Sequence, residues 1–267
     1  MPAPDTRPLA VVTGASSGIG LELAKQFAQH DYDLVLAAED TELNGATREC
    51  ESLGASVQAV QVDLATYDGV ERLASALHSL DRPVEALAVN AGVGVGGEFV
   101  DTTNLEDELR LINLNVVSSV HLAKRVLPDM VQRGRGRVLF TSSIAAMMPA
   151  TFQVVYGASK SFVQSFSEGL REELKDTGVS VTALMPGPTE TEFFERADLD
   201  DTRVGAADKD DAAQVARQGF DALMAGKEKV LAGSITTRAM SAASKGMPDR
   251  AKAKMHAKMS EPGSADS

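Results

Sequence analysis

Residues 13–20 read TGASSGIG, directly after the apolar run PLAVVTG (8–14) and before a segment with Leu21, Ala24 and Ala28 at helical spacing. Glycine tolerates the tight turn and the close backbone approach that a strand-to-helix corner needs. A helix starting there turns free N–H groups and the positive end of its dipole toward whatever lies above the corner, which suits a pyrophosphate. Ser16 and Ser17 add hydroxyl donors or cap the helix. Three residues separate Gly14 from Gly18 and one separates Gly18 from Gly20, with Ile19 between. That is not the G-x-G-x-x-G spacing of the commonest dinucleotide turn. Read alone, the loop also fits a Gly/Ser turn that only joins a strand to a helix.

Outward from it, short β-rich runs alternate with helical stretches: YDLVLAA (32–38), ASVQAVQV (55–62), VEALAVN (84–90), GRVLFTS (136–142), VSVTALM (179–185) and a weaker KVLAG (229–233). Between them apolar residues recur every three or four positions, as in Val70, Leu73, Ala74 and Leu77. This alternation predicts βαβ units with right-handed crossovers. The expected fold is one α/β domain over 1–267, a Rossmann-like, doubly wound parallel sheet of seven strands with helices on both faces in three layers. Residues 188–226 break the rhythm and are expected to form a helical lid, followed by a basic tail over 234–267. The ends, 1–7 and 260–267, are expected to fray.

The 267 residues are 43% apolar, enough for a sizeable core, and carry a formal net charge of −12. That charge excludes nucleic acid as the expected partner, since phosphate backbones need a basic face. Residues 227–258 run against the trend, with eight Lys or Arg and two acids. Cys50 is the single cysteine, consistent with a reducing compartment. MPAPDTRPLAVV lacks the basic start and long apolar stretch of a signal peptide, and no run approaches a membrane span. A cytoplasmic protein without a membrane partner is expected.

Tyr156 and Lys160, in YGASKSFVQSFSEGLREEL, stand four apart on an expected helix and share a face. A free phenol titrates near 10, and a nearby ammonium favours phenolate and brings that value down. Tyr156 can then give a proton to a carbonyl oxygen or take one from an alcohol. The pair alone also fits chance spacing with a solvated lysine.

Together, TGASSGIG, NAG (90–92), SS (142–143), YGASK (156–160) and PGPTET (186–191) resemble the short-chain dehydrogenase/reductase family in order and spacing, from about residue 8 to about 191. The resemblance implies a nicotinamide-dependent oxidoreductase acting on a ketone or secondary alcohol. It implies Tyr156 as acid/base, with Lys160 lowering its pKa and gripping the nicotinamide ribose. Ser143 would orient the substrate oxygen beside Tyr156, with Ser142 the alternative if the register slips. Asn115 would hold a water in a proton relay to Lys160, Asn113 being the nearby distractor. Gly14, Ser16, Ser17, Gly18, Ile19 and Gly20 would cradle the cofactor phosphates, and Asp63 and Leu64 would lie at the adenine. Asn90, Ala91 and Gly92 would support the adenosine side, where Val89 stands in place of the family's usual first asparagine. Pro186, Gly187, Thr189 and Thr191 would flank the nicotinamide. Without the resemblance, Asp63 reads as a helix cap.

YDLVLAAED (32–40) closes the second expected strand on Glu39 and Asp40. An acid at this point accepts hydrogen bonds from a ribose 2′-OH and repels a 2′-phosphate. Glu39 stands where many relatives carry arginine, so NAD(H) is expected over NADP(H). Asp40 is expected to cap the next helix.

His30, His78, His121 and His256 are scattered without metal-ligand spacing, and no metal is expected. Arg133, Arg135 and Arg137 fit a solvated turn. Nine acids between 188 and 211 should disfavour strongly anionic substrates if they border the site. The stripe Ala251, Met255 and Met259, with Lys252, Lys254 and Lys258 off it, predicts a tail helix packed on the acidic body or on a neighbouring subunit. A homotetramer or homodimer through the helices of Asn115 and Tyr156 is what the family implies. Two other readings stand beside the main one: a 3-oxoacyl thioester reductase, and a non-catalytic nucleotide-binding regulatory protein.

Overall fold

The computed structural model describes residues 7–244 and 246–265. Seven strands form one parallel sheet in the order β3-β2-β1-β4-β5-β6-β7. They are β1 (Leu9–Thr13), β2 (Asp33–Ala38), β3 (Val57–Gln61), β4 (Val84–Val89), β5 (Gly136–Thr141), β6 (Val179–Pro186) and β7 (Lys229–Ala232). Every strand expected from the sequence is present, the weak seventh included. The inner strands are buried on both faces, so LAVVT of β1 reads as an unbroken apolar run. β3 lies at the edge with both glutamine-bearing faces open, and VQAVQ is accordingly mixed.

Side chains alternate across the strands and divide the core in two. On one face Val11, Val35, Leu87 and Val138 pack with Leu73, Val126, Met130 and Val163. These come from α3 (Tyr67–Ser79), α5 (Ser118–Arg133) and α6 (Val154–Leu174). On the other face Ala10, Val12, Leu36 and Leu139 pack with Leu23, Phe27, Val215 and Phe220. Those helical residues belong to α1 (Gly18–Gln29) and α9 (Ala212–Met224), with α2 (Leu43–Ser52) beside them. The sheet order reverses between β1 and β4, which places a crevice at the carboxyl ends of these strands.

Three expectations change here. α9 belongs to the helical layer rather than to a lid, because Val215, Ala216, Phe220 and Leu223 are buried against the sheet. What overlies the crevice is the stretch before it, with the short turns α7 (Phe193–Arg196) and α8 (Arg203–Ala206). Asp40 does not cap α2: Glu42 occupies the cap position, in helical geometry and with no side-chain cap. Residues 260–265 are tied down, with Ser260 and Ser264 buried, while 1–6, 266 and 267 lie outside the described residues.

One irregularity positions the site. Between α4 (Leu105–Ile112) and α5 the chain makes a π-helical turn, Asn113–Val117, with Asn115 buried in it. Such single π turns locally widen a helix and re-aim a side chain. The remaining elements, α10 (Ile235–Ser244) and α11 (Asp249–Ser260), follow β7.

Candidate active site

A cavity of about 920 Å³ opens at the carboxyl ends of the strands. Of the sequence-predicted residues, Gly14, Ser16, Ser17, Gly18, Ile19, Gly20, Glu39, Asp63, Leu64, Asn90, Ala91 and Gly92 line it. So do Ser143, Tyr156, Lys160, Pro186, Gly187, Thr189 and Thr191. Asn115 stands behind the wall, 1% exposed.

The strand ends are tied together first. Thr13 Oγ1 accepts hydrogen bonds from the backbone N–H groups of Asn90 and Ala91 at 2.9 and 3.0 Å. Asn90 Nδ2 donates to Thr13 O, and Thr141 Oγ1 donates to Asn90 Oδ1 at 3.0 Å, so one asparagine joins β1, β4 and β5. Against this frame the glycine loop has no room for side chains. Gly14 adopts φ +62°, and a Cβ there would lie 2.8 Å from Ala91 Cα. A Cβ on Gly92 would come within 3.0 Å of Asn115 Oδ1 and 3.1 Å of Lys160 Nζ, two heads that flank the same bare backbone. This Cβ-free floor at a helix N-terminus fits a dinucleotide pyrophosphate and ribose.

At the far end, Ser143 starts the 3₁₀ turn Ile144–Met147 and accepts from Ala145 N at 3.1 Å. Its hydroxyl lies near enough to Tyr156 to favour the phenolate. Ser142 also lines the cavity, with its hydroxyl donating to Lys160 O at 2.9 Å. Tyr156 and Lys160 share one face of α6, with Lys160 Nζ 5.7 Å from the Tyr156 ring centre and donating to Thr141 O at 3.1 Å. Burial pushes the Tyr156 phenol up to about 12, and the Ser143 hydroxyl pulls the other way. Burial likewise pushes Lys160 down to about 8. Desolvation therefore outweighs the effect of Ser143, and in this geometry the phenol is raised rather than lowered.

Asn115 is fully engaged. Its Oδ1 accepts from Val93 N, and its Nδ2 donates to Val93 O and Ser159 Oγ, at 2.9, 2.9 and 3.0 Å. Ser119 Oγ donates to its carbonyl at 2.8 Å. The side chain fixes the loop after β4 against α6; it leaves no polar atom over for a relay water.

The outer end is built from charge. Glu39 pairs with Arg110 of α4, whose other nitrogen donates to Asp63 Oδ2 at 2.9 Å. Burial works to raise the Asp63 carboxyl, but the Arg110 hydrogen bond and the Ala65 N–H hold it below its ordinary value. Asp63 caps nothing in α3, where Thr66 accepts from Gly69 N. Asp40 points back to the glycine loop and accepts from Ser16 Oγ at 2.9 Å, while its second oxygen is buried with no partner. Three carboxylates, Glu39, Asp40 and Asp63, thus border the outer pocket. Sequence reasoning missed Arg110, the inward turn of Asp40, and Phe193, whose ring lies 5.1 Å from that of Tyr156. Among the described residues no group of three or more His, Cys, Asp or Glu could hold a metal, and no helix is long and apolar enough to cross a membrane.

A glycine-floored crevice at the switch point of a parallel sheet, leading to a buried Ser–Tyr–Lys set, defines a nicotinamide-dependent oxidoreductase. The chain belongs to the short chain dehydrogenase family, whose model matches residues 8–202. It is 32% identical over 179 residues to the NADP-dependent 3-hydroxy acid dehydrogenase YdfG of Salmonella typhimurium, covering 67% of this chain and 71% of that one. A short-chain dehydrogenase from Sphingobium yanoikuyae, solved with NADPH, superposes with a TM-score of 0.78 at 32% identity over 84% of this chain and 87% of that one. One from Burkholderia phymatum, solved with NAD, gives 0.81 at 25% identity over 90% and 92%.

Proposed function

We propose that the protein transfers hydride reversibly between NAD(H) and a ketone or secondary alcohol, with Tyr156 as acid/base. The observation that carries this reading is the convergence of Ser143, Tyr156 and Lys160 on one end of a glycine-floored crevice, with Lys160 Nζ 5.7 Å from the Tyr156 ring centre. Gly14, Ser16, Ser17, Gly18, Ile19 and Gly20 would hold the cofactor phosphates. Asp63, Leu64, Asn90, Ala91 and Gly92 would border its adenosine, and Pro186, Gly187, Thr189 and Thr191 its nicotinamide. The cofactor supplies or accepts the hydride. Ser143 holds the substrate oxygen against the Tyr156 phenol. In reduction Tyr156 Oη gives its proton to that oxygen, and a phenol raised by burial is fully protonated at neutral pH. In oxidation it must first lose the proton, and the Lys160 ammonium favours the phenolate against the opposing effect of burial. Lys160 would also hold the nicotinamide ribose. Asn115 acts by holding Val93 and Ser159 in place.

NAD is favoured because Glu39 and Asp40 border the pocket where a 2′-phosphate would place further negative charge. A homotetramer built on α5 and α6 is part of the same reading, with Phe162 of α6 exposed and stacked on Phe166. We place the enzyme in the cytoplasm.

The test is a panel of ketones and secondary alcohols assayed with wild type and Tyr156→Phe. Turnover in the wild type, lost by at least about a hundredfold in the variant while it still binds cofactor, supports the reading. Turnover kept by the variant contradicts it. Cofactor binding without any turnover in either protein would instead support the regulatory, non-catalytic alternative.

A further inference from the structure

The tail supplies a wall that the cofactor side does not need. α11 lies across the cavity mouth and is held on both sides. On one side Thr151 Oγ1 donates to Ala253 O at 3.2 Å, His256 Nδ1 stands 2.9 Å from Thr151 O, and Gln153 Nε2 donates to Ser260 Oγ at 3.4 Å. On the other, Gly263 N and Ala265 N donate to Asp201 Oδ2 and Asp201 O, both at 2.9 Å. The expected packing on the chain's own body is present, but charge attraction is not what holds it. Lys254 and Lys258 are exposed, and Lys252 pairs within the helix with Asp249 at 3.5 Å.

Met255 and Met259, one turn apart, line the cavity together with His256. Met148 and Phe193 line it as well, and Phe193 stands against Tyr156. Methionine adapts its shape to irregular apolar surfaces. The lining cations are already engaged: Lys160 with Thr141 O at 3.1 Å, Arg196 with Glu192 at 2.6 Å, and Lys209 with Gly205 O at 2.6 Å. These cations keep further N–H donors, but the lining carboxylates Glu192, Asp208 and Asp210 outnumber Arg196 and Lys209 and disfavour an added anion. His256 adds a single polar feature. A carbonyl oxygen only accepts, so the Nδ1 facing Thr151 carries the hydrogen and the neutral ring keeps its lone pair on Nε2. Burial keeps this histidine below its ordinary pKa, and hence neutral at pH 7.

We infer that the substrate is a bulky, uncharged ketone or secondary alcohol whose apolar body lies under α11 against Met255, Met259, Met148 and Phe193, and that it presents a hydroxyl or N–H donor to His256 Nε2. This rests on the hydride-transfer reading above. It also separates this chain from relatives named for 3-hydroxy acids, whose substrates carry a carboxylate.

The experiment compares kcat/KM for propiophenone, 3′- and 4′-hydroxypropiophenone, acetone and acetoacetate with NADH. Propiophenone should exceed both acetone and acetoacetate by about a hundredfold, the scale of discrimination an apolar pocket gives. One hydroxylated isomer should gain about fivefold over the parent, the size of one net hydrogen bond. In Met255→Asp, or Met259→Asp should the first fail to fold, the propiophenone-to-acetone ratio should fall at least tenfold. In His256→Phe the hydroxyl advantage should fall to about one, and in His256→Gln, which keeps an acceptor, it should persist. Fluorescence of bound NADH reports folding of each variant. Acetone or acetoacetate used as well as propiophenone overturns the substrate class, and a hydroxyl advantage surviving in His256→Phe overturns the role of His256. No turnover of any carbonyl with either cofactor overturns the hydride-transfer reading itself.

Discussion

The two ends of the crevice are built on different physics. The inner end holds Tyr156, Lys160 and Asn115, all buried, with Asn115 bonded to the loop after β4 and to α6 and Lys160 bonded to β5. The outer end holds Glu39, Asp63 and Arg110, whose side chains are 49%, 34% and 41% exposed. Buried groups interact in a low dielectric, so desolvation shifts their proton affinities by whole pH units. Exposed charges are screened, and each contributes little. The inner end can therefore set the chemistry, while the outer end can only choose between closely similar cofactors.

Lys160→Met should break the inner end most severely. We expect activity to fall by on the order of a hundredfold or more, the scale of acid/base assistance, measured as kcat with the best ketone. The same variant should gain stability at pH 7. The folded Lys160 binds its proton more weakly than the unfolded chain does, so the cost of burying the ammonium is fully present below about pH 8 and fades as pH rises toward 10.5. Thermal melts of both proteins at pH 7 and pH 10 check this, with the variant's advantage, about 2–4 °C for each kcal/mol, present only at the lower pH.

At the outer end, Glu39→Arg should move the ratio of kcat/KM for NADH over NADPH by about ten- to a hundredfold toward NADPH, since a factor of ten corresponds to about 1.4 kcal/mol. Steady-state kinetics with both cofactors measure it. The pH profile sharpens the contrast further. Reduction should be flat through neutrality and decline as pH rises through about 8, where Lys160 loses its proton, while oxidation should gain from deprotonation of Tyr156. Salt should leave that profile in place. Arg110→Met should have the smallest effect. Its pairs are exposed, so a rise of at most about fivefold in the KM for NADH is expected.

The inner end was legible in the sequence because its signals are local. Tyr156 and Lys160 are a helical turn apart, and the glycine loop is a continuous stretch. The strands were legible because burial on both faces writes them as apolar runs. The outer end was not, because its partners are distant: Arg110 meets Glu39 across 71 residues and Asp63 across 47. Nothing in LEDELRLI marks one arginine as belonging to the pocket. The tail's place at the cavity was hidden for the same reason. Its methionine stripe was visible, but the His256 contact with Thr151 spans 105 residues. α9 was assigned to the lid because the acid-rich stretch runs into it without a break, hiding the spacing of Val215, Phe220 and Leu223. The effect of burial on Tyr156 could not be read from spacing at all, since desolvation depends on what covers the pair and not on how far apart its members stand.

The division of labour between the two ends is tested most directly by the wild-type ratio of kcat/KM for NADH over NADPH, measured with one ketone at moderate ionic strength. With Glu39 and Asp40 bordering the outer pocket, the ratio should exceed about ten. A ratio at or below one would contradict the account.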